Sequence, residues 1–220
     1  GSRNENNDNH GISHFIEHLL FKGTENRTAK QIVEELEAVG GSINAFTSKE
    51  YTCYYAKVLD EHFDLAIDIL TDMFFYSKFE EEDISKEKNV VIEEIKMYED
   101  SPDELIHDLF VQAVLRNHPL GRTITGSKES VNNITRSHIL DYLAQNYTPR
   151  NTVISVVGNV KHEKVLDKLR DLFSNWYRET NENFYGEPEP SSETLLIQKD
   201  TEQVQICMGV PGLPRNNNDI

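Results

Sequence analysis

Within the stretch His14-Phe15-Ile16-Glu17-His18, two imidazoles and a carboxylate stand three and four residues apart. On a helix that spacing places all three on one face. Imidazole nitrogens suit zinc, and a catalytic zinc takes three protein ligands and keeps one position for water. His14 and His18 are therefore expected to be metal ligands, with one Zn2+ per chain. Glu17 lies between them, free to stay unligated and to act as general base on a water that the metal makes more acidic.

A third ligand must come from elsewhere. The stretch from roughly 83 to 98 carries Ile84, Val91, Ile95 and Tyr98 at helical spacing, with Glu87 and Glu94 seven residues apart on one stripe. Glu94 is expected to face the zinc. Glu87 then points at the same cavity and hydrogen-bonds a ligand from behind. Glu93 competes for the ligand role, about 100° around the helix from Glu94. His10 precedes the first helix by too little to be dismissed from the site on spacing alone. His107, His118, His138 and His162 have no mutual spacing that suggests a metal and read as surface or packing groups.

The elements that must hold these groups are legible in outline. Apolar residues at 12, 15, 16, 19 and 20 predict the first helix, with Phe15, Ile16, Leu19 and Leu20 seating it in the core and Gly23 ending it. Thr28 and Gln31 form a capping-box start for a second helix that ends at Gly40-Gly41. Residues 42–47 and 51–59 are rich in β-branched and aromatic side chains and predict a hairpin across Ser48-Lys49-Glu50. Helices follow from near Asp60 to Phe75, from about 83 to 98, and from Pro102 with Ser101 as cap. Short helices near 127–133 and 135–146, a buried strand at 152–157 and a helix within 160–176 come next. Residues 179–193, with Pro188, Pro190, Ser191 and Ser192, are the best linker candidate, and strands at 194–199 and 203–210 close the chain.

This order predicts an α+β fold, with helices packed on one face of a mixed, largely antiparallel sheet. Residues 1–193 are expected to form the catalytic zinc-binding domain, and 194–220 the closing strands and the start of a second half.

Composition narrows the partners. With 22 basic against 38 acidic side chains, the formal charge of -16 opposes nucleic acid and anionic membrane surfaces and favours basic peptides. Cys53 and Cys207 are too far apart for a CxxC pair. The sequence contains no apolar run of eighteen residues, and a cytoplasmic location is expected. The chain opens at Gly1-Ser2-Arg3 and stops at Ile220, so it is read as a fragment.

The sequence also resembles the pitrilysin, insulysin and mitochondrial processing peptidase family, especially its bacterial processing-peptidase-like members. The resemblance covers nearly the whole chain. It is carried by Gly1-Ser2-Arg3 leading into His14-Phe15-Ile16-Glu17-His18, by Phe21-Lys22-Gly23-Thr24, by Gly40-Gly41 with Asn44-Ala45-Phe46-Thr47, and by Val91-Ile92-Glu93-Glu94-Ile95. It implies that the distal ligand lies 76 residues after the second histidine, at Glu94, and the supporting glutamate at Glu87. It further implies that Asn44, Ala45, Phe46 and Thr47 form a sheet edge to which an extended peptide substrate adds as a strand. The residues alone would put Phe46 in the core. The family chain has two similar halves around a chamber, so this chain is expected to be the N-terminal half and to pair with a second homologous half or with a copy of itself.

These readings converge on a zinc endopeptidase acting on short or unfolded peptides. The competing expectation is a non-catalytic structural or peptide-binding subunit of a heteromeric peptidase.

Overall fold

Gly11, at φ 91°, turns the chain into the first helix, α1 (Ile12–Leu20). A side chain there would be strained, and its Cβ would sit 2.6 Å from the Thr125 carbonyl oxygen. The computed structural model describes residues 1–116, 118–178, 186–200, 202–210 and 212–213. Ile12, Phe15, Ile16, Leu19 and Leu20 are buried to within 1% exposure. Each contributes about 1.5–3 kcal/mol of hydrophobic burial, which holds α1 rigidly in the core.

The expected capping box starts α2 (Ala29–Glu37): Thr28 and Gln31 each accept from the other's backbone N–H. Gly40, at φ 72°, then turns the chain into β1 (Ser42–Thr47), which pairs antiparallel with β2 (Thr52–Lys57). The register sets Phe46 opposite Cys53 and Thr47 opposite Thr52. Ile43, Tyr54 and Ala56 lie on the inner face and pack on the core.

The helices α3 (Phe63–Tyr76) and α4 (Glu81–Asp100) follow, then α5 (Pro102–Val114), α6 (Lys128–Asn133), α7 (Arg136–Asn146) and α8 (His162–Phe173). The α4 helix runs two residues further at each end than its apolar stripe predicts. Glu81, Glu82 and Asp83 occupy its first turn, where the helix dipole favours acidic groups. The first turn of α5 departs from expectation: Pro102 opens it, but the Ser101 hydroxyl donates to Asp103 Oδ1 rather than accepting from a backbone N–H.

The α+β class stands, with α1, α2 and α3 against the hairpin. Of the expected sheet, the described residues form one antiparallel pair. Residues 152–157, read as a buried strand, make no ladder, and Val153 and Val157 are almost fully exposed. Among the described residues, 194–200 and 202–210 form no strand either, so the closing strands assigned to 194–220 are not seen there. A strand is defined by its partner, and β-branched composition without an adjacent ladder leaves only an extended segment. The proposed linker falls partly outside the described residues, at 179–185.

No described helix is long and apolar enough to cross a membrane.

Candidate metal centre

Two helices supply the polar groups. From α1, His14 and His18 project side by side, their rings edge to face with centroids 4.5 Å apart and their Nε2 atoms 3.2 Å apart. From α4, the Glu94 carboxylate reaches both: Oε1 lies 3.6 Å from His14 Nε2, and Oε2 lies 3.6 Å from His18 Nε2. One ligand atom from each of the three residues lies within 4.8 Å of the others. The rival Glu93 points elsewhere, exposed and paired with Lys96 at 2.6 Å. His10 is also apart, with Nε2 2.9 Å from the Thr123 carbonyl oxygen.

The start of α1 has no side-chain cap of its own. Instead the Glu5 carboxylate, fully buried, accepts from the backbone N–H of Gly11 at 2.8 Å and of Ser13 at 2.9 Å. Burial drives its pKa up to about 7, against the opposing pull of those two N–H groups. Ser13 Oγ and Tyr142 OH, 2.8 Å apart, tie the same turn to α7.

Glu87, also on α4, is 3% exposed and sits behind His18: Oε1 lies 2.8 Å from His18 Nδ1 and Oε2 lies 2.6 Å from Lys22 Nζ. Burial alone would raise the Glu87 carboxyl, but the bonds from His18 and Lys22 outweigh it and hold the group below its ordinary range. Burial lowers His18 as well, and Glu87 reverses the sign, leaving His18 raised. His14 has no such support. Burial, reinforced by the neighbouring His18, pushes it down to about 4, and its Nδ1 is buried without a hydrogen-bond partner. Burial also raises Glu94 and Glu17.

These features fit a zinc ion. A neutral His18 donating Nδ1–H to Glu87 presents an Nε2 lone pair to the cluster. A proton on the orphaned His14 Nδ1 does the same for His14. Two nitrogen lone pairs and a carboxylate facing one point form the N,N,O donor set that zinc accepts while keeping a position open. Two close imidazoles facing a carboxylate, without a cation, make a poorly satisfied cluster.

Glu17 stands beside this group on α1, and its Oε2 accepts a 2.5 Å hydrogen bond from the Thr47 hydroxyl. Thr47 Oγ1 also lies 3.2 Å from Thr52 Oγ1. Thr47 is the last residue of β1. Asn44 faces outward and its Oδ1 accepts from the Ala45 N–H at 2.8 Å. Phe46 is not a core aromatic: it is 43% exposed, edge-on to Tyr51 and Tyr55 on the outer face of the hairpin. The alternation of a half-buried strand puts it there, with Ala45 and Thr47 turned inward.

Sequence reasoning missed Lys22 and Glu5, and it named Thr47 for the substrate strand without its contact to Glu17. Lys22 follows His18 by four residues, a spacing that would have flagged it. The Thr47 contact to Glu17 depends on how the hairpin packs, so spacing could not reveal it. Glu5 gave no signal within its Asn-rich loop.

Residues 1–128 match the family described as insulinase, peptidase family M16, and residues 133–220 match the one described as peptidase M16 inactive domain. The chain belongs to peptidase family M16. It is 47% identical over 213 residues to the uncharacterized zinc protease YmxG of Bacillus subtilis, covering 97% of this chain and 52% of that protein. It is 38% identical over 217 residues to the probable mitochondrial-processing peptidase subunit beta of Arabidopsis thaliana, covering 96% and 41%. Among solved structures, a protease from Helicobacter pylori superposes with a TM-score of 0.78 at 28% identity, covering 86% of this chain and 46% of that one. The chain thus spans about half the length of the curated relatives it matches.

Proposed function

We propose that this chain is the metal-binding half of a zinc endopeptidase that hydrolyses short or unfolded peptides. The observation that carries the reading is the convergence of His14 Nε2, His18 Nε2 and the Glu94 carboxylate, with an unligated Glu17 beside them. His14, His18 and Glu94 would hold the metal, which when bound supplies Lewis acidity toward water and the scissile carbonyl.

The remaining work falls to the chain's own residues. Thr47 holds Glu17 Oε2, which leaves Oε1 to take a proton from the attacking water and pass it to the departing amine. Burial raises the affinity of Glu17 for that proton, as a general base working near neutral pH requires. Glu87 fixes the orientation of His18. The edge of β1 away from β2 has no strand beside it among the described residues, and an extended peptide adds there along Asn44 to Thr47. The half-length match to the relatives supports a second homologous half as the partner that completes the enzyme. The acidic charge favours basic peptides.

Metal content after dialysis tests the centre directly. The parent chain should retain about one zinc per chain, and Glu94→Gln should retain far less. In the full-length protein, Glu17→Gln should keep the zinc and lose turnover. A folded parent without zinc would favour a non-catalytic, peptide-binding subunit instead.

A further inference from the structure

Lys22 stands just beyond Phe21, the residue that closes α1, and its backbone N–H still donates to Leu19 O at 3.0 Å. It is therefore four residues along the same helical face from His18. Its ammonium lies 2.6 Å from Glu87 Oε2, while Glu87 Oε1 lies 2.8 Å from His18 Nδ1. The two oxygens of one buried carboxylate are thus held by two groups, an imidazole of the metal cluster on α1 and the ammonium of a lysine just past its end.

The two bonds do different work. The His18 bond sets the tautomer and tilt of the imidazole, but a carboxylate held at one oxygen can still swing about its terminal torsion, which is soft. The second bond stops that rotation. It also compensates a charge that is costly to bury unpaired. The lysines that flank Glu87 in the chain are engaged elsewhere, Lys86 with Glu82 and Lys88 with the Asn132 carbonyl oxygen. His14 has no comparable support, because its Nδ1 is buried without a partner. The outer ordering of the imidazole pair therefore runs through His18 alone.

We propose that Lys22 is a positioning residue for the metal centre, locking the Glu87 carboxylate so that His18 Nε2 stays aimed at His14 Nε2 and Glu94. The inference rests on the zinc-site reading above. It gives the helix-terminal lysine a role in metal affinity, separate from any part in the chemistry.

The test is zinc affinity, measured by chelator competition on the folded chain, for the parent, Lys22→Met, Lys22→Arg, Glu87→Gln and the Lys22→Met/Glu87→Gln double variant. Lys22→Met should weaken zinc binding about 10- to 100-fold, the range for lost outer support. Arginine should restore most of it. In the Glu87→Gln background, Lys22→Met should add less than about twofold, because the two residues act as one unit. A Lys22→Met variant that binds zinc as the parent does overturns the proposal, and so does a full additive loss in the double variant. In both cases a zinc-binding parent leaves the metal-site reading standing. A folded parent that binds no zinc overturns that reading, and this proposal with it.

Discussion

The Thr47 hydroxyl donates to Glu17 Oε2 at 2.5 Å, joining the last residue of β1 to the carboxylate that lies between two imidazoles in the sequence. The strand proposed to receive a peptide thereby also fixes the group proposed to move the proton.

Loss of that hydroxyl should lower kcat more than it raises KM. A hydrogen bond to a charged group is worth roughly 1.5–3 kcal/mol, or about ten- to a hundredfold in rate. Thr47→Val in the full-length protein is expected to lose that much in kcat, with KM for a peptide little changed because the strand backbone is intact. Thr47→Ser should recover most of it. Parent-like kcat in the valine variant would remove Thr47 from the mechanism.

Glu5 should make stability depend on pH in the direction opposite to most carboxylates. Its pKa is about 7 when folded, against an ordinary value of 4.5. Between those values the folded state holds the extra proton. The contribution is therefore complete below about pH 4.5 and is lost as the pH rises through 7, an effect on the order of 3 kcal/mol. Glu5→Gln cannot ionise, so its urea-unfolding stability relative to the parent should improve between pH 5 and pH 8, whatever constant offset the amide brings. Parallel stability curves for the two proteins would exclude this account.

Gly11→Ala should be among the most damaging single-methyl changes. The residue has φ 91°, and its Cβ would meet the Thr125 carbonyl at 2.6 Å and the Gly126 Cα at 2.9 Å. Strain and displacement together predict a loss of about 2–4 kcal/mol, read as a lower denaturant midpoint. A shift worth less than about 1 kcal/mol would show that the turn relaxes freely.

Where the sequence was readable, the signal was local. The helix carrying His14 and His18, the Thr28 capping box and the hairpin around Ser48 all follow from periodicity or from contacts within four residues. The 152–157 segment shows where local signal ends, since its β-branched residues find no ladder among the described residues. Phe46 shows it too: its apolar character suggests the core, but strand alternation turns it outward.

By itself, then, the sequence determined that two histidines and a glutamate share one helical face, and that two glutamates seven apart share another. Those are consequences of the α-helical repeat. Only the tertiary structure decided that the faces meet, because the packing of α1 against α4 is set by side chains distant in the chain. That packing brought Glu94 rather than Glu93 to the imidazoles, put Glu87 between His18 and Lys22, and set the Thr47 hydroxyl on Glu17.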